Sequence, residues 1–122
     1  MIMYDHIGLK ASDLDASVRF YTATLAELGH VLCSRDETSA GLGPKDAPSL
    51  WLYAQSGASP AGTHLAFYAA DRAAVDAFHK AGLEAGGRDH GAPGLRRDYG
   101  DHYYAAFLLD PDGNNVEAVC LK

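Results

Sequence analysis

Apolar and polar residues alternate in two similar blocks of the chain, one beginning at His6 and the other at His64. In each block this alternation predicts a strand with the histidine on one side and apolar residues on the other. An aspartate then stands where a helix N-cap belongs, and apolar residues at three- and four-residue intervals predict a helix. The predicted N-caps are Asp13 and Asp71, and the predicted C′ glycines are Gly29 and Gly87. The apolar stripe of the first helix consists of Val18, Tyr21, Leu25 and Leu28, and that of the second consists of Ala74, Phe78, Ala81 and Leu83.

The two blocks match when the sequence is shifted by 58 positions, which indicates an internal repeat. Matching residues are spaced as a strand, a turn and a helix would space them. Eight positions coincide: His6/His64, Ala11/Ala69, Asp13/Asp71, Ala16/Ala74, Phe20/Phe78, Ala23/Ala81, Leu25/Leu83 and Gly29/Gly87. The chain therefore contains two copies of one module.

Three short strands are predicted after each helix. In the first module they fall in "HVLCSRDETSAGLG" and "PSLWLYA", and in the second in "GRDHGAPGLRRDYGD", "YYAAFLLD" and "NNVEAVCL". A long loop over residues 89–101 is expected between the first two strands of the second module, because glycines and Pro93 concentrate there, and "DPDGNN" predicts a tight turn. Each module is βαβββ, within one α+β domain spanning residues 1–122, divided into about 1–57 and 58–122.

Composition narrows the function classes. The chain has 122 residues, 48% of them hydrophobic, which suffices for a core without disulfides. Its net charge of −6 argues against nucleic acid or an anionic membrane as partner. Cys33 and Cys120 match no metal or redox spacing, and no export signal or membrane span is evident, so a cytoplasmic location is expected.

The paired modules, the histidine on the first strand of each, and the closing "YYAAFLLDPDGNNVEAV" resemble the vicinal oxygen chelate superfamily. That superfamily includes glyoxalase I, extradiol dioxygenases and bleomycin- and fosfomycin-resistance proteins. The resemblance covers essentially the whole chain. It implies two sheets curling around a cavity, with metal ligands on the inner faces of the first and last strands of each module.

Carried onto this sequence, the resemblance places metal ligands at His6, His64 and Glu117, and a fourth position near Trp51. Two imidazoles and a carboxylate suit a divalent metal and leave positions open for substrate, with Fe²⁺, Mn²⁺, Zn²⁺, Ni²⁺ and Co²⁺ not distinguished. Tryptophan cannot ligate a metal, so the set departs from the four-ligand glyoxalase I arrangement. Strand parity places Glu117 on the same face as Asn115 and Val119.

Other polar and aromatic residues are weaker candidates. Only one of Tyr103 and Tyr104 can face the cavity, where it would serve as acid or base, and either tyrosine would otherwise be a core aromatic with a tethered hydroxyl. His102 and His90 would serve as acid or base at the mouth of the cavity, although loop histidines are mostly solvated. Arg96 and Arg97 would recognise a carboxylate or phosphate, although adjacent arginines in a loop are more often simply solvated. Trp51 would form a stacking wall for an aromatic ligand, or would pack without a function.

Two functions follow as hypotheses. One is a metal-dependent enzyme of the dioxygenase or lyase/isomerase type acting on a small oxygenated substrate. The other is a metal-independent protein of the bleomycin-resistance type that binds or sequesters a small molecule. Under either hypothesis a homodimer is expected, since symmetric dimers are the commonest oligomers, and whether the site forms within one chain or across the dimer stays open.

Overall fold

The computed structural model of the protein describes residues 1–57 and 62–122. The expected module boundary at residues 57 and 58 lies at the edge of this range, and residue 58 falls outside the described residues. The strands are β1 (Ile7–Ala11), β2 (Val31–Arg35), β3 (Ser39–Gly43), β4 (Leu50–Ala54), β5 (His64–Tyr68), β6 (Arg88–Leu95), β7 (Tyr104–Leu109) and β8 (Asn115–Cys120), and the helices are α1 (Leu14–Ala26) and α2 (Arg72–Glu84).

The strands form two four-stranded mixed sheets of the same topology. Sheet A has the order β1-β4-β3-β2 and sheet B has the order β5-β8-β7-β6. In each sheet the first strand of the module runs parallel to the last, and the other neighbours are antiparallel. The prediction of two βαβββ modules is therefore confirmed.

Both helices begin at the predicted aspartates. The Asp13 carboxylate accepts a hydrogen bond from the Ala16 amide and the Asp71 carboxylate accepts one from the Ala74 amide, so each cap satisfies an amide that the helix cannot. The C′ residue of α2 was predicted wrongly as Gly87. Gly86 has the left-handed conformation (φ +95°), and the Gly87 amide, one residue further, donates to Gly82 O at 2.8 Å.

The apolar stripe of α2 also differs from the prediction. Leu83 is 44% exposed, whereas Val75, Phe78 and Gly82 are buried. Gly82 lies against side chains of α1 and β7, because a glycine leaves room there that a larger residue would fill. A pattern based on large apolar residues cannot recognise a buried glycine as a core position.

A loop was predicted over residues 89–101, but residues 89–95 belong to a strand, so the prediction was wrong for the first half of this segment. β6 continues to Leu95 and pairs with β7 across two register shifts, one between Asp89 and Gly91 and the other between Gly91 and Gly94. The glycines mark bulges within a strand and not the start of a loop, as isolated glycines in strands often do. The remaining connection runs from residue 96 to residue 103.

A single cluster of buried apolar side chains includes residues of both sheets and both helices. Polar contacts also join the modules at the "DPDGNN" turn. Asp110 accepts a hydrogen bond from the Tyr21 hydroxyl (2.5 Å), and Asp112 accepts bonds from the Ser12 hydroxyl (2.5 Å) and amide (3.1 Å). The predicted turn is confirmed, and its aspartates contact the first module as well as their own backbone.

Within the residues described, no helix has the length and apolar character that crossing a membrane requires. Cys33 and Cys120 are free thiols, and Cys120 is buried in the core. Neither cysteine therefore links parts of the fold covalently.

Candidate functional site

Glu117 lies in the middle of β8 on the face of sheet B that points away from the helices. Its neighbours Val116 and Ala118 belong to the helix-side core, so alternation directs Glu117 to the opposite face. Glu117 is nevertheless only 2% exposed. A carboxylate this deeply buried needs polar partners, because burying an unpaired charge is costly.

Two side chains contact the Glu117 carboxylate. The Tyr103 hydroxyl donates a hydrogen bond to Oε2, and His64 Nε2 lies 3.0 Å from Oε1. His64 comes from β5, the strand next to β8, whereas Tyr103 directly precedes β7. Neighbouring strands therefore converge on one carboxylate, and two of the predicted site residues, His64 and Tyr103, lie against the third, Glu117.

The orientation of the His64 ring is set by its surroundings. Nδ1 lies 3.2 Å from the backbone oxygen of Asn115, and with its proton on Nδ1 the ring donates a hydrogen bond there. The ring also stacks on Phe107, with centroids 6.2 Å apart and planes 22° from parallel. In this tautomer the lone pair of the other nitrogen, Nε2, points toward Glu117, whereas with the proton on Nε2 the ring donates to Glu117 Oε1.

Tyr103 is a hydrogen-bond donor in this arrangement. Burial raises the pKa of its hydroxyl to about 12, and the hydrogen bond to Glu117 and the charges of Glu117 and Tyr99 act in the same direction. The phenol therefore keeps its proton at neutral pH. Tyr103 holds a proton at Oε2 of Glu117 and does not act as a base there.

The corresponding face of sheet A is aromatic. Trp51 lies across Gly41, since a Cβ at Gly41 would come within 2.8 Å of the indole ring. Tyr53, two residues further along β4 and 43% exposed, covers Gly8 in the same way. The two glycines thus let both rings lie flat on the sheet, and Trp51 occupies the face that strand parity predicts for it.

His6 is not brought to Glu117 within the described chain. Its Nδ1 lies 2.7 Å from Asp5 Oδ1, and its side chain is 53% exposed. Across residues 1–57 and 62–122, no group of three or more His, Cys, Asp or Glu side chains is arranged to hold a metal ion. His6 instead borders a largely apolar cavity of about 310 Å³ between the start of β1, the end of α1 and β5.

The other residues predicted to act at the site lie at separate positions on sheet B and in the connection between β6 and β7. Tyr104 lies on the helix side, where its hydroxyl donates to Asp76 at 2.6 Å. His102 and Arg97 are exposed in the connection between β6 and β7. His90 is exposed on β6. Arg96 lies over the Phe107 ring, with its guanidinium carbon 5.3 Å from the ring centroid.

Phe107 and the Asn115 side chain were not predicted to have a role at the site. Phe107 is paired with Glu117 in the register between β7 and β8, and Asn115 Oδ1 is buried without a hydrogen-bond partner. Alternation along "YYAAFLLD" could have placed Phe107 on the Glu117 face, provided that the pairing with β8 was known. Sequence alone does not give that register.

The His64 and Glu117 atoms fit part of a divalent metal site. Nitrogen and oxygen ligands lie about 2.0–2.2 Å from such an ion, so two ligands at right angles to each other are about 3 Å apart. Nε2 and Oε1 are 3.0 Å apart. An imidazole lone pair and a carboxylate oxygen at this separation suit a shared cation.

The fold and the site define a class: a paired-module βαβββ protein with a histidine and a glutamate on the face of one sheet that points away from the helices. The family model of the Glyoxalase/Bleomycin resistance protein/Dioxygenase superfamily matches residues 4–118. The chain belongs to this superfamily, which confirms the resemblance seen in the sequence. A comparison with curated proteins gave no significant match.

Solved structures of the superfamily share the fold over nearly the whole chain. A glyoxalase/bleomycin resistance protein from Albidiferax ferrireducens T118 has a TM-score of 0.83 and 30% identity, with 98% of each chain covered. A glyoxalase/bleomycin resistance protein/dioxygenase family enzyme from Burkholderia phytofirmans PsJN has a TM-score of 0.73 and 20% identity, with 97% of this chain and 98% of that chain covered. A bleomycin resistance determinant encoded on the transposon Tn5 has a TM-score of 0.66 and 23% identity, with 94% of each chain covered.

Proposed function

We propose that the protein is a metal-dependent enzyme that acts on a small oxygenated substrate at the His64–Glu117 face of sheet B. The observation that carries this proposal is the 3.0 Å separation of His64 Nε2 and Glu117 Oε1, with the carboxylate 2% exposed. Extradiol-type oxygenation and lyase or isomerase chemistry both fit such a site, because in each a bound divalent ion would polarise oxygen atoms of the substrate.

The proposed third ligand is His6 of a second copy of the chain. Within the described residues β1 and β5 each pair on one side only, so each sheet has an open edge beside its histidine. The segment before β1 is also strongly exposed and apolar, with Met1, Ile2 and Met3 each more than 80% exposed. Pairing of the open edges in a homodimer would cover this surface and supply the missing imidazole.

A bound divalent metal would polarise substrate oxygens at this face. The residues of the chain have separate parts in the proposal. His64 and Glu117 would hold the ion, and the backbone oxygen of Asn115 orients the His64 ring. Tyr103 keeps a proton at Glu117, and Trp51 of the second copy provides an aromatic wall for the substrate.

The first test is the metal content of protein purified without chelator. About one transition metal ion per chain is expected in the wild type, and none in His6→Ala, His64→Ala or Glu117→Ala. The matched control is His90→Ala, which removes an exposed histidine of β6, the strand of sheet B at the opposite edge from β5, and is expected to retain the metal. Unchanged stoichiometry in His64→Ala would contradict the assigned ligands.

Mixing two variants that each lack one metal ligand tests whether the three ligands of one site come from both chains of the dimer. If His6 of one copy joins His64 of the other, a mixed dimer of His6→Ala and His64→Ala chains contains one site with all three ligands. After unfolding and refolding an equimolar mixture, about a quarter of the wild-type metal content is expected, since half of random dimers are mixed. No recovery, with each variant still dimeric, would place all three ligands in one chain.

A second function is favoured by a specific observation. Both Glu117 oxygens have polar partners in the chain itself, Tyr103 at Oε2 and His64 at Oε1. With its proton on Nε2, His64 donates to Oε1, so the carboxylate is accommodated without a metal, as a protein that only binds a ligand would require. Wild-type protein that contains no metal and takes up none of Fe²⁺, Mn²⁺ or Zn²⁺, while a flat ligand quenches Trp51 fluorescence saturably, would establish this function instead.

A further inference from the structure

Arg96 lies on the same face of sheet B as the His64–Glu117 pair. Its amide donates to Tyr103 O at 2.8 Å, continuing the ladder in which Leu95 is paired with Tyr104. Residues directly opposite each other on antiparallel strands project to the same face. The Arg96 and Tyr103 side chains therefore both project toward the face that carries Glu117.

The guanidinium of Arg96 is held in place by backbone oxygens. Nη1 donates to Gly94 O at 2.9 Å and Nη2 donates to Ala92 O at 2.7 Å, while the group lies over Phe107. A Cβ at Gly91 or Gly94 would come within 3.2 Å of a guanidinium nitrogen, so the bulges in β6 leave the room that Arg96 occupies. The side chain is thus fixed before any ligand binds, which reduces the entropy lost on binding.

Within the described residues Arg96 forms no ion pair, whereas Arg35 pairs with Asp15 and the site histidine pairs with Glu117. Two of the five guanidinium N–H groups are used by the backbone, and the others remain available to a ligand. One aromatic ring, Phe107, separates this cation from His64.

From this geometry we infer that the substrate of the His64–Glu117 site is a small acid, whose carboxylate, phosphate or phosphonate group is bound by Arg96. This inference rests on the proposed function, because it takes the same face as the substrate site. The chain carries a net charge of −6, so an anionic substrate needs a local cation, and Arg96 provides one beside the metal-binding pair. A guanidinium matches the geometry of such oxyanions and binds them through paired hydrogen bonds.

The test is a titration of the chelator-treated, full-length protein with inorganic phosphate and, separately, with acetate, at constant ionic strength. Chemical shifts of the Arg96 Nε–H group and of the Tyr103 and Phe107 amides are followed by NMR. Saturable shifts at these groups are expected with at least one probe, and the stronger probe distinguishes a tetrahedral oxyanion from a carboxylate. The Arg96→Gln variant is expected to bind it about tenfold more weakly or worse.

Arg97→Gln is the matched control, since it removes the same charge from the adjacent, exposed position. It is expected to change the dissociation constant less than about twofold. Arg96→Lys keeps the charge but loses the paired geometry and is expected to bind with intermediate affinity, which separates anion binding from a merely structural role of Arg96 in the β6 bulge. Equal losses in Arg96→Gln and Arg97→Gln, or no saturable shift with either probe, would overturn the inference.

The titration is independent of the metal experiment because the protein is free of metal. If the anion binds at Arg96 and no metal is taken up, the enzyme proposal fails and the anion site stands. If metal binds and neither probe does, only the anion inference fails.

Discussion

At the scale of single residues, the central feature is a carboxylate in an otherwise apolar strand. Glu117 is buried between strands, and its charge is met by one imidazole and one phenol. The geometry of these partners explains why a charged residue is tolerated at this depth. It also leaves His64 Nε2 and Glu117 Oε1 at a separation that suits a shared cation.

Tyr103→Phe tests the contribution of the phenol to this arrangement. Removing the hydroxyl leaves a buried carboxylate oxygen without its donor, which is expected to lower the free energy of unfolding by about 1–3 kcal/mol. Urea denaturation of the metal-free protein measures this. Tyr99→Phe is the control, because Tyr99 is 68% exposed and its ring contacts Tyr103 edge to face. A loss of equal size in Tyr99→Phe would show that the Glu117 hydrogen bond is not the cause.

At the scale of elements, α2 is fitted to its neighbours through a glycine. A Cβ at Gly82 would come within 2.3 Å of Leu108 Cδ1 and 3.1 Å of Thr24 Cγ2. Glycine is unfavourable within a helix, so its presence here reflects close packing of α2 on α1 and β7. The same close approach explains why the stripe predicted from large apolar residues was shifted around the helix.

Gly82→Ala is expected to destabilise the protein although alanine favours helices. Crowding against Leu108 outweighs the propensity gain of about 1 kcal/mol, for a net loss of about 1–2 kcal/mol in the free energy of unfolding. Thermal and urea unfolding measure the change. Lys80→Ala, at an exposed position of the same helix, is expected to stay within about 0.5 kcal/mol of the wild type. A stabilised Gly82→Ala variant would mean that Leu108 moves aside without loss.

At the scale of the whole molecule, the two modules are joined by buried polar contacts as well as by the shared core. Asp110 and Asp112 of the second module receive hydrogen bonds from Tyr21 and Ser12 of the first. Burial raises the pKa of the Tyr21 hydroxyl well above 10. The negative charge of Asp110, the hydrogen bond to Asp110 and the negative charge of Asp112 raise this pKa further. The contact between the modules therefore depends on a protonated phenol.

Alkaline unfolding tests this contact. Because the folded-state pKa of Tyr21 is raised, the folded protein retains a proton that the unfolded chain releases above pH 10, so this stabilisation is complete below pH 10 and lost as the pH rises further. Tyr21→Phe is expected to be about 1–3 kcal/mol less stable at neutral pH, since Asp110 loses a donor. Its stability is also expected to fall less steeply above pH 10, as measured by urea denaturation across that range. An equally steep fall in the variant would assign the alkaline loss to other tyrosines.

The sequence by itself determined the repeat, the order of elements and the faces of the strands. The matched histidines and the N-cap aspartates are local patterns, and strand alternation placed Glu117 and Trp51 on definite sides because it depends only on backbone geometry. Alternation left open which of Tyr103 and Tyr104 faces Glu117. These features need no knowledge of distant contacts. The family followed from the same motifs and is confirmed by the match over residues 4–118.

Only the tertiary structure decided what depends on register and close packing. Pairing with β7 across bulges decided how far β6 extends. The neighbours of Gly82 on α1 and β7 decided that this glycine is buried. The path of β6 decided that Arg96 contacts Phe107. Tyr103 contacts Glu117 because β7 and β8 are adjacent in one particular register. A one-residue slip would reverse every side chain, and local sequence does not encode which register of two strands buries the most surface.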